Sequence, residues 1–359
     1  MNTMEAFADR YRGRRVLVTG HTGFKGSWLC EWLLALGAEV TGLALDPATQ
    51  PALFDQLELT GRLEDQRRDV RDAETVWKCV QQINPEFVFH LAAQPLVRLS
   101  YERPIETYAT NVMGTANLLD TIRRVPSVRA VVVVTSDKCY ENQEWDRGYT
   151  EGDAMGGFDP YSSSKGCSEL LTASFRNSFF PTKDHARHGV AVASARAGNV
   201  IGGGDWSKDR LIPDILRAIG SGQPVQIRNP HATRPWQHVL EPLGGYLLLA
   251  QRLVERGAEC AEAWNFGPAA QDARPVQWIV ERMTERWGPP ASWRLDGGQH
   301  PHEARFLHLD ITKATQRLGW KPRWGLDECL NRIVDWHRAM RDGADMRTFT
   351  LRQIEDFNR

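Results

Sequence analysis

Short apolar runs alternate with amphipathic stretches through the first two hundred residues. Residues 14–19 (RRVLVT) form a β-branched run that halts at glycine, which predicts a buried strand. Over residues 24–36, Leu29, Trp32, Leu33 and Leu36 share one helical face, and Gly37 supplies the stop. Residues 39–45 predict a second strand, 74–83 a helix bounded by Pro85, and 87–91 another strand. Residues 104–124 predict one long helix with Pro126 beyond it. The run 130–134 (AVVVV) is nearly all valine, as a strand covered on both faces requires. A helix over 160–180 and a strand over 190–195 complete the pattern.

Strictly alternating strands and helices predict an α/β fold, with a doubly wound, mostly parallel sheet of Rossmann type and helices on both faces. Beyond Gly202 glycine, proline, tryptophan and arginine become frequent and the alternation breaks up. The expectation is a first domain over 1–200 and a smaller mixed domain over 201–359, some segments of which return to the first.

Composition narrows the function classes. Among 359 residues, 44 Lys plus Arg balance 45 Asp plus Glu, so the net charge of −1 draws the chain neither to nucleic acid nor to an anionic membrane. The apolar runs are far too short to span a bilayer, and residues 1–15 carry no signal-peptide pattern. The six cysteines form no C-x-x-C pair. That argues against a zinc site or a disulfide scaffold and points to a reducing cytoplasm.

The chemistry starts at the first strand–helix junction. Gly20, Gly23 and Gly26 punctuate Gly20-His21-Thr22-Gly23-Phe24-Lys25-Gly26. Small residues let the backbone approach a pyrophosphate, and a helix N-terminus offers free N–H groups. In this position the loop predicts dinucleotide binding, with Thr22, Phe24 and Lys25 beside the glycines. Asp46, after the second strand, suits the adenosine ribose hydroxyls and disfavours a 2′-phosphate, so NAD is expected over NADP. Asp69-Val70 would bracket the adenine.

Tyr161 and Lys165 stand at i and i+4, on one helical face. A phenol is a poor base at neutral pH, but a neighbouring ammonium and an oxidised nicotinamide both stabilise its phenolate. Ser136-Asp137-Lys138 follows the valine strand, where the carboxyl ends of parallel strands face the ligand crevice. A hydroxyl, a carboxyl and an amine are therefore expected beside the tyrosine.

The glycine loop, Leu91-Ala92-Ala93-Gln94, Asn111-Val112-x-Gly114-Thr115, Tyr161-x-x-x-Lys165 and Leu318-Gly319-Trp320-x-Pro322 together resemble the extended short-chain dehydrogenase/reductase family over nearly the whole chain. Thr135-Ser-Asp-Lys138, Gly202-Gly-Gly-Asp-Trp206 and Arg234-Pro-Trp-Gln-His238 are similar to the branch of that family that dehydrates CDP-glucose. The resemblance implies an NAD-dependent lyase. Tyr161 would take the C4 hydroxyl proton as hydride leaves C4, and Asp137 would protonate the departing C6 hydroxyl. Lys138 stands where relatives have a glutamate, and would remove the C5 proton or stabilise the resulting charge. Leu91, Ala92 and Ala93 would join the cofactor site. Gln94, Asn199, Arg210, Arg234, His302 and Arg305 would hold the nucleotide sugar. The helices near 104–124 and 160–180 would pack in a homodimer or homotetramer. A 4-epimerase, a dehydratase of another nucleotide sugar, and a non-catalytic NAD-binding sensor are the competing readings.

Overall fold

The computed structural model describes residues 7, 9–227, 229–289, 291–296, 298 and 307–359. Seven strands form one sheet: β1 (Arg15–Thr19), β2 (Glu39–Ala44), β3 (Glu64–Arg67), β4 (Phe87–His90), β5 (Ala130–Val134), β6 (Ala191–Arg196) and β7 (Ala263–Asn265). Their spatial order is β7-β6-β5-β4-β1-β2-β3, and every neighbouring pair is parallel. In register, Val16 lies opposite Val40 on one side and Phe87 on the other. The order reverses between β1 and β4, so a crevice opens there outside the carboxyl ends of the strands.

All five residues of β5 are buried, which explains its valines. Val132 and Val134 face a cluster that includes Trp28, Trp32, Leu243 and Leu247. Val131 and Val133 face another that includes Val76, Val80, Leu118 and Ile122. The two clusters are the helical layers on opposite faces of the sheet.

Two elements depart from the hydrophobic pattern. Strand β3 reads Glu-Asp-Gln-Arg and has no apolar signal. It forms at the sheet edge by pairing with β2, from Thr41 opposite Glu64 onwards. The single helix expected over 104–124 is instead Pro104–Tyr108, a π turn at Ala109–Met113, and Gly114–Ile122. Asn111 sits in that turn, 2% exposed, with its amide donating to the Gln94 carbonyl over 3.1 Å and to Ser164 Oγ over 2.8 Å. Its backbone carbonyl accepts from Thr115 and Ser168. A polar side chain drawn inward this way distorts the helical ladder where it meets the cleft.

After β6 the chain builds an extra C-terminal unit with its own core, in which Ile215, Ile279, Met283, Leu330 and Ile333 meet. The helices Leu211–Gly220, Val276–Trp287 and Leu326–Arg341 supply it. Helix Leu240–Arg256 and β7 return to the first unit, with Leu247 packed in the Trp32 cluster and Trp264 paired opposite Ala195. The crevice therefore has the sheet as its floor and the C-terminal unit as one wall.

Candidate active site

A cleft of about 1480 Å³ runs along the carboxyl ends of β1, β4, β5 and β6. The glycine loop forms one end. Gly20 has φ +77°, and a Cβ on it would lie 2.7 Å from Ala92 N; one on Gly26 would lie 2.1 Å from Gly20 O. These close approaches require glycine. The following helix, Phe24–Ala35, has no side-chain cap and no acidic residue in its first turn, so its leading N–H groups stay available to an anion. Thr22 ties the loop to β2 by donating to the Leu45 carbonyl over 3.0 Å. His21 is buried beneath it, 2.8 Å from Asp65 Oδ1, and fills the space left by Gly42.

Thr22, Gly23, Phe24, Lys25, Asp69, Val70, Leu91, Ala92 and Ala93 all line the cleft with Gly20 and Gly26. Asp46 stands apart. Its side chain is 90% exposed, pairs with Arg67 at 3.2 Å, and does not contribute to the lining. Gln94 also turns away: its amide donates to the Leu96 carbonyl and Thr107 Oγ1, and its oxygen accepts from Leu96 N–H at 2.6 Å. Those bonds shape the loop after β4 and leave Gln94 outside the lining.

The helix carrying Tyr161 and Lys165, Pro160–Phe179, begins with Asp159 accepting from Ser162 N–H at 2.9 Å and with Pro160 in its first turn, as a strong helix start requires. This start aims Tyr161 and Lys165 into the cleft beside Ser136, Asp137 and Lys138, which all line it. Burial pushes the Tyr161 phenol up to about 12, while a hydrogen bond with Ser136 and the charge of Arg210 work the other way. Burial pulls the Lys165 ammonium down to about 8, opposed by Glu169. Its Nζ donates to the Val134 carbonyl at 3.4 Å.

Ser136 Oγ donates to Asp137 Oδ1 over 2.9 Å. The other oxygen, Oδ2, is buried with no partner among the described residues. Gly198 abuts this carboxyl so closely that a Cβ there would lie 1.8 Å from Oδ2. Asn199, Arg210 and Arg234 line the far wall, and Arg210 pairs with Asp205 at 3.1 Å. His302 and Arg305 lie outside the described residues.

Sequence reasoning treated Lys25 as part of the loop alone. Burial and the neighbouring charges of Arg210 and Lys165 pull its ammonium down to about 7, against Asp137, so its side chain belongs to the same charged centre. Glu169, one turn beyond Lys165, and Arg196, at the end of β6, were missed. The i, i+4 spacing was the available signal for the glutamate.

The GDP-mannose 4,6 dehydratase family matches residues 17–333. The chain is 58% identical to the CDP-glucose 4,6-dehydratase of Salmonella typhimurium over 347 residues, 97% of each chain. Among solved structures, MoeE5 in complex with UDP-glucose and NAD is 29% identical, with a TM-score of 0.74 over 90% of this chain and 99% of that one. DesIV, the dTDP-glucose 4,6-dehydratase of Streptomyces venezuelae with NAD and TYD bound, has the same fold at 24% identity, with a TM-score of 0.74 over 92% of this chain and 98% of that one. By its sequence along most of its length and by its sheet, cleft and motifs, the chain belongs to the GDP-mannose 4,6 dehydratase family of the extended short-chain dehydrogenases/reductases.

Proposed function

We propose that the chain converts CDP-D-glucose to CDP-4-keto-6-deoxy-D-glucose and water. It is an NAD-dependent hydro-lyase of deoxysugar biosynthesis. The observation that carries this reading is the 58% identity to the Salmonella enzyme along 97% of both chains. The cleft supports it chemically, because Asp137 and Lys138 join Tyr161 and Lys165 on one wall. A 4-epimerase needs only the tyrosine–lysine pair, whereas elimination also needs an acid and a base.

The uncapped helix end, the cradle between Gly20 and Ala92, and the crevice at the switch point fit a dinucleotide. Gly20, Thr22, Gly23, Phe24, Lys25, Gly26, Asp69, Val70 and Leu91–Ala93 would hold NAD. When bound, NAD supplies a hydride acceptor at the sugar C4 and a hydride donor at C6. Tyr161 takes the C4 hydroxyl proton, with Lys165 and Ser136 supporting its phenolate. The C4 ketone acidifies the C5 hydrogen. Lys138 removes that proton and Asp137 gives one to the leaving C6 hydroxyl, so water departs; Lys138 then returns its proton to C5 as C6 is reduced. Asp137 suits this donor role: its free oxygen is shielded from water on the Gly198 side. Asn199, Arg210 and Arg234 would hold the sugar diphosphate, the arginines through charge-assisted contacts.

Residues 1–200 with the returning segments form the cofactor domain, and the remainder of 201–359 forms the substrate domain. A homodimer or homotetramer is supported by Ile105 (81% exposed) and Leu170 (61% exposed), with Met113 and Phe179 also open on the same two helical stretches. No helix among the described residues is long and apolar enough to cross a membrane, and we place the enzyme in the cytoplasm.

The test uses CDP-glucose deuterated at C4. The expected product carries the label at C6, and UDP-, dTDP- and GDP-glucose turn over poorly. Loss of the label to solvent, or preference for another nucleotide, would refute the reading.

A further inference from the structure

Beneath the cleft lies a buried charge that the reaction does not use directly. Glu169 follows Lys165 by one helical turn and is 4% exposed. Its carboxylate accepts from donors on two neighbouring strand ends. Thr135 Oγ1 donates to Oε1. Ser194 Oγ and Arg196 Nη2 each donate to Oε2 over 2.7 Å. Thr135 opens the Ser136–Lys138 turn after β5. Arg196 ends β6 and leads into Gly198-Asn199, the turn that abuts Asp137. Arg196 is held in turn: its Nη1 donates to Tyr140 Oη over 2.7 Å, and Tyr140 donates to Asn265 Oδ1 over 2.7 Å.

A buried ion pair adds little net stability over an apolar pair of the same shape, so stability alone accounts poorly for this arrangement. A hydrogen-bonded polar network does fix geometry, because its members lose partners if one segment shifts. Three segments carrying catalytic or substrate-facing groups meet at this one carboxylate.

We propose that Glu169 is a positioning residue: through Thr135, Ser194 and Arg196 it holds the Tyr161–Lys165 helix against the Ser136–Lys138 turn and the Gly198–Asn199 turn. This deepens the function proposed above and rests on it. The carboxylate is also the anion nearest Lys165 along its helix. Cys139, Lys25 and His90 are the other titratable groups acting with Lys165, and Asp137, Asp159 and Arg210 act on Tyr161. Burial works against ionised Glu169, but Arg196 and the hydroxyl donors hold it below the usual carboxylate range. Removing its charge while Arg196 remains makes the pocket more positive, so protons leave Tyr161 and Lys165 at lower pH.

The experiment compares Glu169→Gln, Glu169→Gln/Arg196→Met and Thr135→Val with wild type as full-length holoenzymes on CDP-glucose. In Glu169→Gln, kcat is expected to fall about tenfold or more with KM little changed. The alkaline limb of its kcat profile, set by Lys165, should move down by about half a pH unit or more. The double variant removes both charges, so its limb should return towards wild type while kcat stays low. Thr135→Val, which keeps shape and charge, should lower kcat without moving the limb, and it carries the test if Glu169→Gln does not fold. Wild-type kcat in Thr135→Val, or an unmoved limb in folded Glu169→Gln, would overturn the proposal. A wild-type protein inactive on CDP-glucose would strike the function reading instead. The positioning role would then be read from the ultraviolet titration of Tyr161, taken against Tyr161→Phe, which Glu169→Gln should move to lower pH. An unmoved titration would overturn it.

Discussion

Asp137 occupies the space that a side chain at Gly198 would need. A Cβ there would lie 1.8 Å from Asp137 Oδ2 and 2.1 Å from its Cγ. Ordinary contacts begin at about 3.5 Å, so Gly198→Ala must drive the carboxyl away by roughly 1.5 Å. Gly198 is not among the residues with positive φ, so alanine meets no backbone penalty there. The carboxyl has to yield, and it breaks from Ser136 Oγ, its 2.9 Å partner. Misplacing a reacting group by about 1 Å costs on the order of a hundredfold in rate, equivalent to about 2.7 kcal/mol of barrier. The loss should fall on one step alone. Asp137 serves the elimination, whereas Tyr161 and Lys165 serve oxidation at C4. In a single turnover with CDP-glucose, the absorbance of reduced nicotinamide should therefore rise at the wild-type rate and then decay about a hundredfold more slowly. Decay at the wild-type rate would refute the assignment of Asp137 as the acid. An equally slowed rise would show that the carboxyl acts in the oxidation as well.

The other expectations follow from the same geometry. Tyr161→Phe should lose about a thousandfold in C4 oxidation while retaining bound NAD, read as the missing reduction transient; an intact transient would remove Tyr161 from the chemistry. Lys165 supports the phenolate only while protonated, so kcat should fall as pH rises through about 8, and a flat profile beyond pH 9 would contradict that role. His90 and His238, held by burial at about 3, and His337, held at about 4, are neutral in the native state. The unfolded chain protonates them near 6.5, so their stability contribution is complete above that value. It is lost as pH falls, by about 1.4 kcal/mol per unit for each fully buried site; a melting temperature unchanged from pH 7 to pH 5 would refute this. Leu170→Glu should dissociate the assembly, and light scattering that still reports the wild-type mass would exclude that helix face from the interface.

What local pattern decides was legible without any coordinates. Valine runs, helical faces and glycine breaks depend on neighbours within a few residues, and they specified the doubly wound sheet. The glycine loop and the Tyr161–Lys165 spacing are local in the same sense, so both chemical centres could be placed at strand ends before the fold was known. The structure alone decided which of those residues meet a partner from far along the chain. Strand β3 has no apolar signal, and it exists because β2 offers an open edge. The helix at 104–124 is broken because Asn111 turns inward to Ser164, fifty-three residues away. The family resemblance places Gln94 with the nucleotide sugar, yet its own loop consumes its amide. Asp46 stands at the expected distance along the chain but pairs outward with Arg67. Conversely, Glu169 is locally just one charge on a helix face, and it is β5 and β6 that bring Thr135, Ser194 and Arg196 around it. Periodicity and spacing report which way a side chain points within its own element. Whether that direction leads to solvent, a loop, a ligand or a buried ion is set by long-range packing, which no short window of sequence contains.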